Sequence, residues 1–363
     1  MAAALEGRGD ADPAQVSPGL AIATSPHYFS GVMSSAAGAV ARCIAPFLTV
    51  ATVVGVGLAA APAPVDPAPA IRLVDEANPL DGMPFYVNPN SAAMRAAQAD
   101  PASPQLAAIA NTPQAYWMDQ ASTPAVDAKY IATAQAAGTR PVLALYGIPH
   151  RDCGSFAAGG FSSGAAYRGW IDGVAAAIGG GPAAVILEPD ALAMADCLSA
   201  DQRQERFDLM SYAVDTLTRN PGTAVYIDAG HSRWLSADDM AARLNQVGVA
   251  KARGFSLNTA NFFTTDEEIG YGEAISAQTN GAHYVIDTSR NGAGPTDDAL
   301  YWCNPTGRAL GTPPTTATAG PHADAYLWVK RPGESDGTCD RGEPQAGRFV
   351  SQYAIDLARN AGH

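Results

Sequence analysis

Short apolar runs alternate with longer segments of helical periodicity along most of the chain. The runs are 84–88 (PFYVN), 115–118 (AYWM), 141–146 (PVLALY), 183–188 (AAVILE), 224–228 (AVYID), 254–258 (GFSLN), 283–287 (HYVID) and 325–330 (AYLWVK). Each is too short for a stable helix and most carry β-branched or aromatic residues, which reads as strand. In 201–219, Phe207, Met210, Val214 and Leu217 recur at intervals of three and four, the spacing of one helix face. Ser199 with Gln202, Ser236 with Asp239 and Thr265 with Glu268 stand at capping-box spacing and mark helix starts. This alternation predicts an α/β fold with a mainly parallel sheet covered by helices, because parallel neighbours need a crossover between them. So many repeats favour a closed or nearly closed (β/α) barrel over an open sheet. No Ser/Pro-rich linker and no repeat interrupts 83–363, so it reads as a single domain. The segment 311–320, GTPPTTATAG, lies between Cys303 and Cys339 and reads as a loop tied at both ends.

The N-terminal part follows a different pattern. Residues 44–62 form an apolar run with Arg42 before it and Ala/Pro-rich sequence at and beyond its end, the layout of a secretory signal. Met33 is then the inferred start, giving a signal peptide over 33–62 and a spacer over 63–82. Residues 1–32 become a disordered or mis-assigned extension. The run approaches spanning length, so an N-terminal membrane anchor stays open as the alternative to export. Pro46 within the run favours cleavage.

Charge narrows the partners. Lys plus Arg total 22 against 35 Asp plus Glu, a net charge of −13, which repels phosphate backbones and anionic lipid. No GxGxxG follows a strand and no GxxxxGK[ST] occurs, so nucleotide folds lose their usual support. The five cysteines form no CxxC pair and have no His cluster beside them, which argues against a metal site and for two disulfides in an exported protein. A neutral, polar partner fits best, with no nucleic acid, metal or cofactor expected.

Polar residues gather at the C-terminal ends of the predicted strands: Tyr146 with Asp152, Glu188 with Asp190, Asp228, Asn258, Asp287, and Lys330 with Glu334 and Asp336. In a β/α barrel that rim is where chemistry is built. Recurring carboxylates without a metal-ligand pattern point to acid/base work. Asp228 and Asp287 also admit a plain reading as buried partners of backbone amides or of Arg, and Arg151 reads as a structural ion-pair partner.

The segment 146–153, YGIPHRDC, together with 185–191, VILEPDA, resembles the two signature segments of glycoside hydrolase family 6, formerly cellulase family B. FYVNPNSAA (85–93), YIDAGHSRW (226–234), LNTANF (257–262), VIDTSRNG (285–292), WCNPTGRALGTPPT (302–315) and LWVKRPGESDGTC (327–339) match further family segments in order. The likeness is greatest to secreted actinobacterial endoglucanases and covers nearly all of 83–363. It implies a distorted barrel and inverting hydrolysis of internal β-1,4-glucosidic bonds in cellulose or cello-oligosaccharides, by a protein expected to be a monomer. A weak or inactive glucan-binding protein on the same fold is the alternative.

By that resemblance Asp190 is the proton donor and Asp152 the neighbour that raises its pKa. Asp228 supports the acid and the sugar. Asp336 stands at the position proposed as base, a role that a water chain could fill instead. Tyr146 matches the tyrosine that presses the reacting sugar out of its relaxed chair. Trp117, Trp234 and Trp302 match ring-stacking positions, where an indole face suits the apolar face of glucose. His231, Asn258, Lys330 and Glu334 match sugar-contacting positions, though His231 could equally be a satisfied loop histidine. Trp170 and Trp328 read as packing. The resemblance pairs Cys153 with Cys197 and Cys303 with Cys339, tying the loops that carry Asp152 and Asp336. One departure stands out: where many members hold the catalytic water with a serine, this chain has Ala158. Short segments after Cys153 and Cys339 imply an open cleft and internal cleavage.

Overall fold

A computed structural model of the chain describes residues 77–363. Seven strands form one parallel sheet in sequential order: β1 (Tyr116–Met118), β2 (Val142–Leu145), β3 (Ala183–Leu187), β4 (Thr223–Asp228), β5 (Gly254–Leu257), β6 (His283–Asp287) and β7 (Ala323–Leu327). The helices are α1 (Ala92–Ala99), α2 (Pro104–Ala110), α3 (Pro124–Ala136), α4 (Gly164–Ile178), α5 (Ala200–Leu217), α6 (Ala237–Gln246), α7 (Thr265–Ser276) and α8 (Ser351–Asn360).

The strands read as unbroken apolar runs because both of their faces are covered. Alternate residues of β2–β4, such as Leu143, Val185 and Val225, face outward and pack with α4 and α5. Their neighbours Ala144, Ile186 and Tyr226 join Ala325, Leu327 and Val329 in a separate inner cluster. Register keeps the inner set level, Ala144 opposite Ile186 and Ile186 opposite Tyr226. A third cluster packs α1, α2 and α8 around Trp328, which is 3% exposed and donates its indole N–H to the Thr312 carbonyl. Trp170 packs on Phe161 and Tyr167. Both tryptophans are packing residues, as their positions in the pattern implied.

The barrel is distorted at its seam. The expected strand at 84–88 is reduced to a single parallel bridge between Phe85 and Arg140, because the chain turns at once toward the Ser91 cap of α1. The β7 side meets β1 through one main-chain bond, Ala115 N–H to Trp328 O at 2.9 Å, and through Trp117 Nε1 to Val329 O at 2.8 Å. The Ser199–Gln202 capping box forms on α5, and Ser236 caps α6. On α7 the cap is Thr264, which accepts from Glu267 N–H, so the expected Thr265–Glu268 pair is displaced by one residue.

The spacer expected over 63–82 ends sooner than that. Leu80 is 1% exposed within the inner cluster, and Asn78 donates to the Asp324 carbonyl at 2.7 Å. Residues 78–82 therefore belong to the packed domain. The expected extension over 1–32, the signal over 33–62 and most of the spacer lie outside the described residues. Among the described residues no helix is long and apolar enough to cross a membrane.

Candidate active site

All seven strands end on one rim, and their loops enclose a cleft of about 830 Å³. Trp117, Tyr146, Asp152, Asp190, His231, Trp234, Trp302, Lys330, Glu334 and Asp336 all line it. Asp228 and Asn258 do not. Asp228 lies beneath Asp190, 1% exposed, with Oδ1 accepting the Asp190 and Gly230 N–H groups at 2.9 and 3.0 Å and Oδ2 accepting the Ser256 hydroxyl at 3.1 Å. Asn258 is fully buried, bonding Phe263 N–H and O and the Asp287 carbonyl, so it orders the turn below the cleft and does not face sugar. Asp287 accepts the N–H groups of Ser289, Val329, Ala260 and Lys330, which is the plain reading of that residue.

Asp190 follows β3 with φ 69°, a region uncommon for non-glycine residues though more accessible to Asp than to most, held by its N–H bond to Asp228 and its carbonyl bond to Met194 N–H at 2.9 Å. Burial, then the negative charges of Asp228 and Asp152, push its carboxyl well above the usual carboxylate range, against the pull of Lys330. Asp152 sits in the loop after β2, one oxygen accepting Ala157 N–H at 2.8 Å, and burial raises its pKa too. The loop folds back at Gly160 (φ 93°), where a Cβ would run into the Ile148 carbonyl. Arg151 stacks 4.3 Å from the Tyr146 ring centre and donates to the Ala157 carbonyl at 2.9 Å, a structural role. Tyr146 meets Trp117 edge to face at 5.3 Å.

Asp336 is the electrostatic opposite of Asp190. Its Oδ1 lies 2.8 Å from Lys330 Nζ, and its Oδ2 accepts from Arg290 Nη1 at 2.7 Å and Asn304 N–H at 3.0 Å. Burial alone would raise its pKa, but the charges of Arg290 and Lys330 more than offset this and hold it below the usual range. Glu334 pairs with Arg331 at 2.7 Å. His231 is 3% exposed, packed at 4.3 Å on Phe263 and 5.1 Å on Trp234, and burial lowers its pKa to about 4, so it is neutral in ordinary conditions.

Sequence reasoning missed several contributors. Arg290 was visible only as part of VIDTSRNG, although a buried Asp336 implies a cation somewhere. Phe156 and Tyr301 also line the cleft, Phe156 packing 5.8 Å from Trp302, and neither carries a distinguishing pattern in sequence. Both expected disulfides form, Cys153–Cys197 and Cys303–Cys339, with Cα separations of 6.3 and 5.8 Å. Ala158 is exposed in the cleft wall, where its methyl group offers nothing to hold a water.

One buried carboxyl pushed up in pKa, another pulled down by two cations, and aromatic faces along the approach fit a glycoside hydrolase built on a parallel barrel. The chain belongs to the glycosyl hydrolases family 6, whose family model matches residues 80–361. Endoglucanase A of Cellulomonas fimi is 48% identical over 284 residues, which make up 76% of this chain and 61% of that protein. Endoglucanase 1 of Streptomyces halstedii is 40% identical over 314 residues, 83% of this chain and 95% of that protein. The solved endoglucanase Cel6 of Mycobacterium tuberculosis, in complex with methyl-cellobiosyl-4-deoxy-4-thio-β-D-cellobioside, matches with TM-score 0.78 and 74% identity over 79% of this chain and 100% of that one. These are actinobacterial endoglucanases, the group the sequence motifs anticipated.

Proposed function

We propose that the chain is an exported endo-β-1,4-glucanase that cleaves internal bonds of cellulose-type glucans with inversion, Asp190 giving the proton. The observation that carries this reading is Asp190 in the lining of an indole-walled cleft, its main-chain N–H bonded to the buried Asp228 carboxylate beneath. A leaving glucosyl oxygen needs a proton as the bond breaks, and only a carboxyl still protonated at working pH can supply it. Asp152 raises that pKa by its charge and offers the same charge to the oxocarbenium-like transition state. Tyr146 sits where it can press on the reacting sugar, while Trp117, Trp234 and Trp302 supply affinity by stacking. Lys330, Glu334 and His231 line the same cleft, which supports a part for them in holding sugar hydroxyls.

Inversion also requires water on the opposite face of the ring. Asp336 has a cation on each oxygen, which weakens it as a direct proton acceptor. That favours a water chain delivering the proton outward. The relatives named endoglucanase and the thio-oligosaccharide complex of the Mycobacterium tuberculosis protein support the substrate class. The two disulfides support an oxidising compartment, hence export.

The test is carboxymethylcellulose viscometry with proton NMR of early products. Viscosity should fall well before reducing ends accumulate, with the α-anomer appearing first. Unchanged viscosity overturns internal cleavage, and a first β-anomer overturns inversion. Ala158 gives the second reading, a weak or inactive glucan-binding protein, its one support. Ala158→Ser is expected to raise kcat by about two- to tenfold, the worth of one added hydrogen bond to the attacking water. An unchanged or lower kcat would show that this position does not limit turnover.

A further inference from the structure

Arg206 lies on α5, 15 residues past the second signature segment and more than fifty past the first, and it is 2% exposed. Its guanidinium donates to the Ala191 carbonyl at 3.1 Å, the Pro149 carbonyl at 3.1 Å and the His150 carbonyl at 2.7 Å. Ala191 follows Asp190, and His150 stands two residues before Asp152. One rigid fork therefore grips both loops next to the two carboxyls they carry. Glu188 completes the grip from the residue just after β3, fully buried and accepting the Gly147 and Ile148 N–H groups at 3.0 Å. Burial pushes the Glu188 carboxyl up to about 7, with the two backbone N–H bonds pulling the other way.

The loops need such bracing. His150, Asp152, Cys153, Glu188 and Asp190 all have positive φ, between 49° and 69°. Non-glycine residues persist there only where surrounding bonds over-determine the backbone, and such strain gathers at functional sites.

We propose that Arg206, with Glu188, is a positioning residue that fixes the loop carrying Asp152 relative to the loop carrying Asp190. The proposal rests on Asp190 being the donor. An ammonium cannot span three carbonyls as a planar guanidinium does. Arg206→Lys should therefore lower kcat on cellotetraose about a hundredfold with KM nearly unchanged, since a small misplacement of reacting groups has that cost. The basic limb of its kcat–pH profile should move to lower pH, because Asp190, facing Asp228, Asp152 and Lys330, would lose part of the repulsion that keeps its proton.

Val214→Ala, in the same helix but away from the loops, serves as the stability control. It should lower Tm and leave kcat per folded molecule and the pH profile unchanged. If Arg206→Lys behaves like Val214→Ala, the proposal is overturned. Should Arg206→Lys fail to fold, the isosteric Glu188→Gln gives the same two readouts, and an unshifted profile with full kcat there equally overturns it. Asp190→Ala assayed alongside separates the cases, for if it keeps its activity the donor assignment fails, whatever Arg206 does.

Discussion

Asp190→Ala is expected to lower kcat on cellotetraose by about 10²–10⁴-fold, the usual range for removing a general acid. KM should change little, because Trp117, Trp234 and Trp302 keep their stacking faces. A dinitrophenyl cellotrioside separates proton donation from general disruption. Its phenolate leaves without a proton, so the variant should lose far less activity on it than on cellotetraose. Equal losses on both substrates would mean that Asp190 holds the sugar or the loop and does not supply the proton. The pH dependence gives a second check. A donor whose pKa is raised works below that pKa and fails as pH rises through it, so the wild type should have a basic limb set by Asp190. On the dinitrophenyl substrate the variant should lose that limb. Asp152→Asn should shift it toward lower pH, since one of the charges that favours the protonated acid is gone.

The architecture was legible because its strands are buried on both sides, which writes them as short continuous apolar runs bounded by helical periodicity. The run at 84–88 has the same composition and makes only one bridge, since composition cannot show that the chain turns away at Ser91. Polar residues at strand ends, joined with the motif likeness, found the carboxyls and indoles of the cleft. Asn258 shows the limit of that logic. A polar residue just past a strand can turn under the rim as easily as over it, and at φ 62° Asn258 turns under. Arg206 was illegible for another reason. On a helix with mixed polar and apolar positions, one arginine looks like a solvated face, and what buries it is one loop 15 residues before it and another more than fifty residues before it. Long-range placement of a lone cation leaves no mark in local sequence.

Arg290 has the same hidden character and a larger expected effect on stability. It is fully buried, bonded to Asp336 and to the Tyr353 hydroxyl, joined to the Ala260 carbonyl, and stacked 4.3 Å from the Phe262 ring centre. It thus ties the loop after β6 to the loop after β5, to α8 and to the cleft. Arg290→Met preserves much of the volume but removes one of the two cations on a buried carboxylate. Breaking a buried pair from one side costs about 3–5 kcal/mol, and chemical denaturation near neutral pH should show a loss of that size. The sign with pH follows from the depressed pKa of Asp336. Such a group contributes stability above the unfolded carboxylate value of about 3.9 and loses it as pH falls through the lower folded value. In the variant Asp336 is less depressed, so the gap between the two proteins should be widest near neutrality and narrow below pH ~4. Adding Asp336→Asn to the variant should restore part of the loss, because the charge that Arg290 answered is then absent. A gap that stays constant with pH, or a double variant no more stable than Arg290→Met, would place the arginine's contribution in its packing on Phe262 and its bond to Ala260.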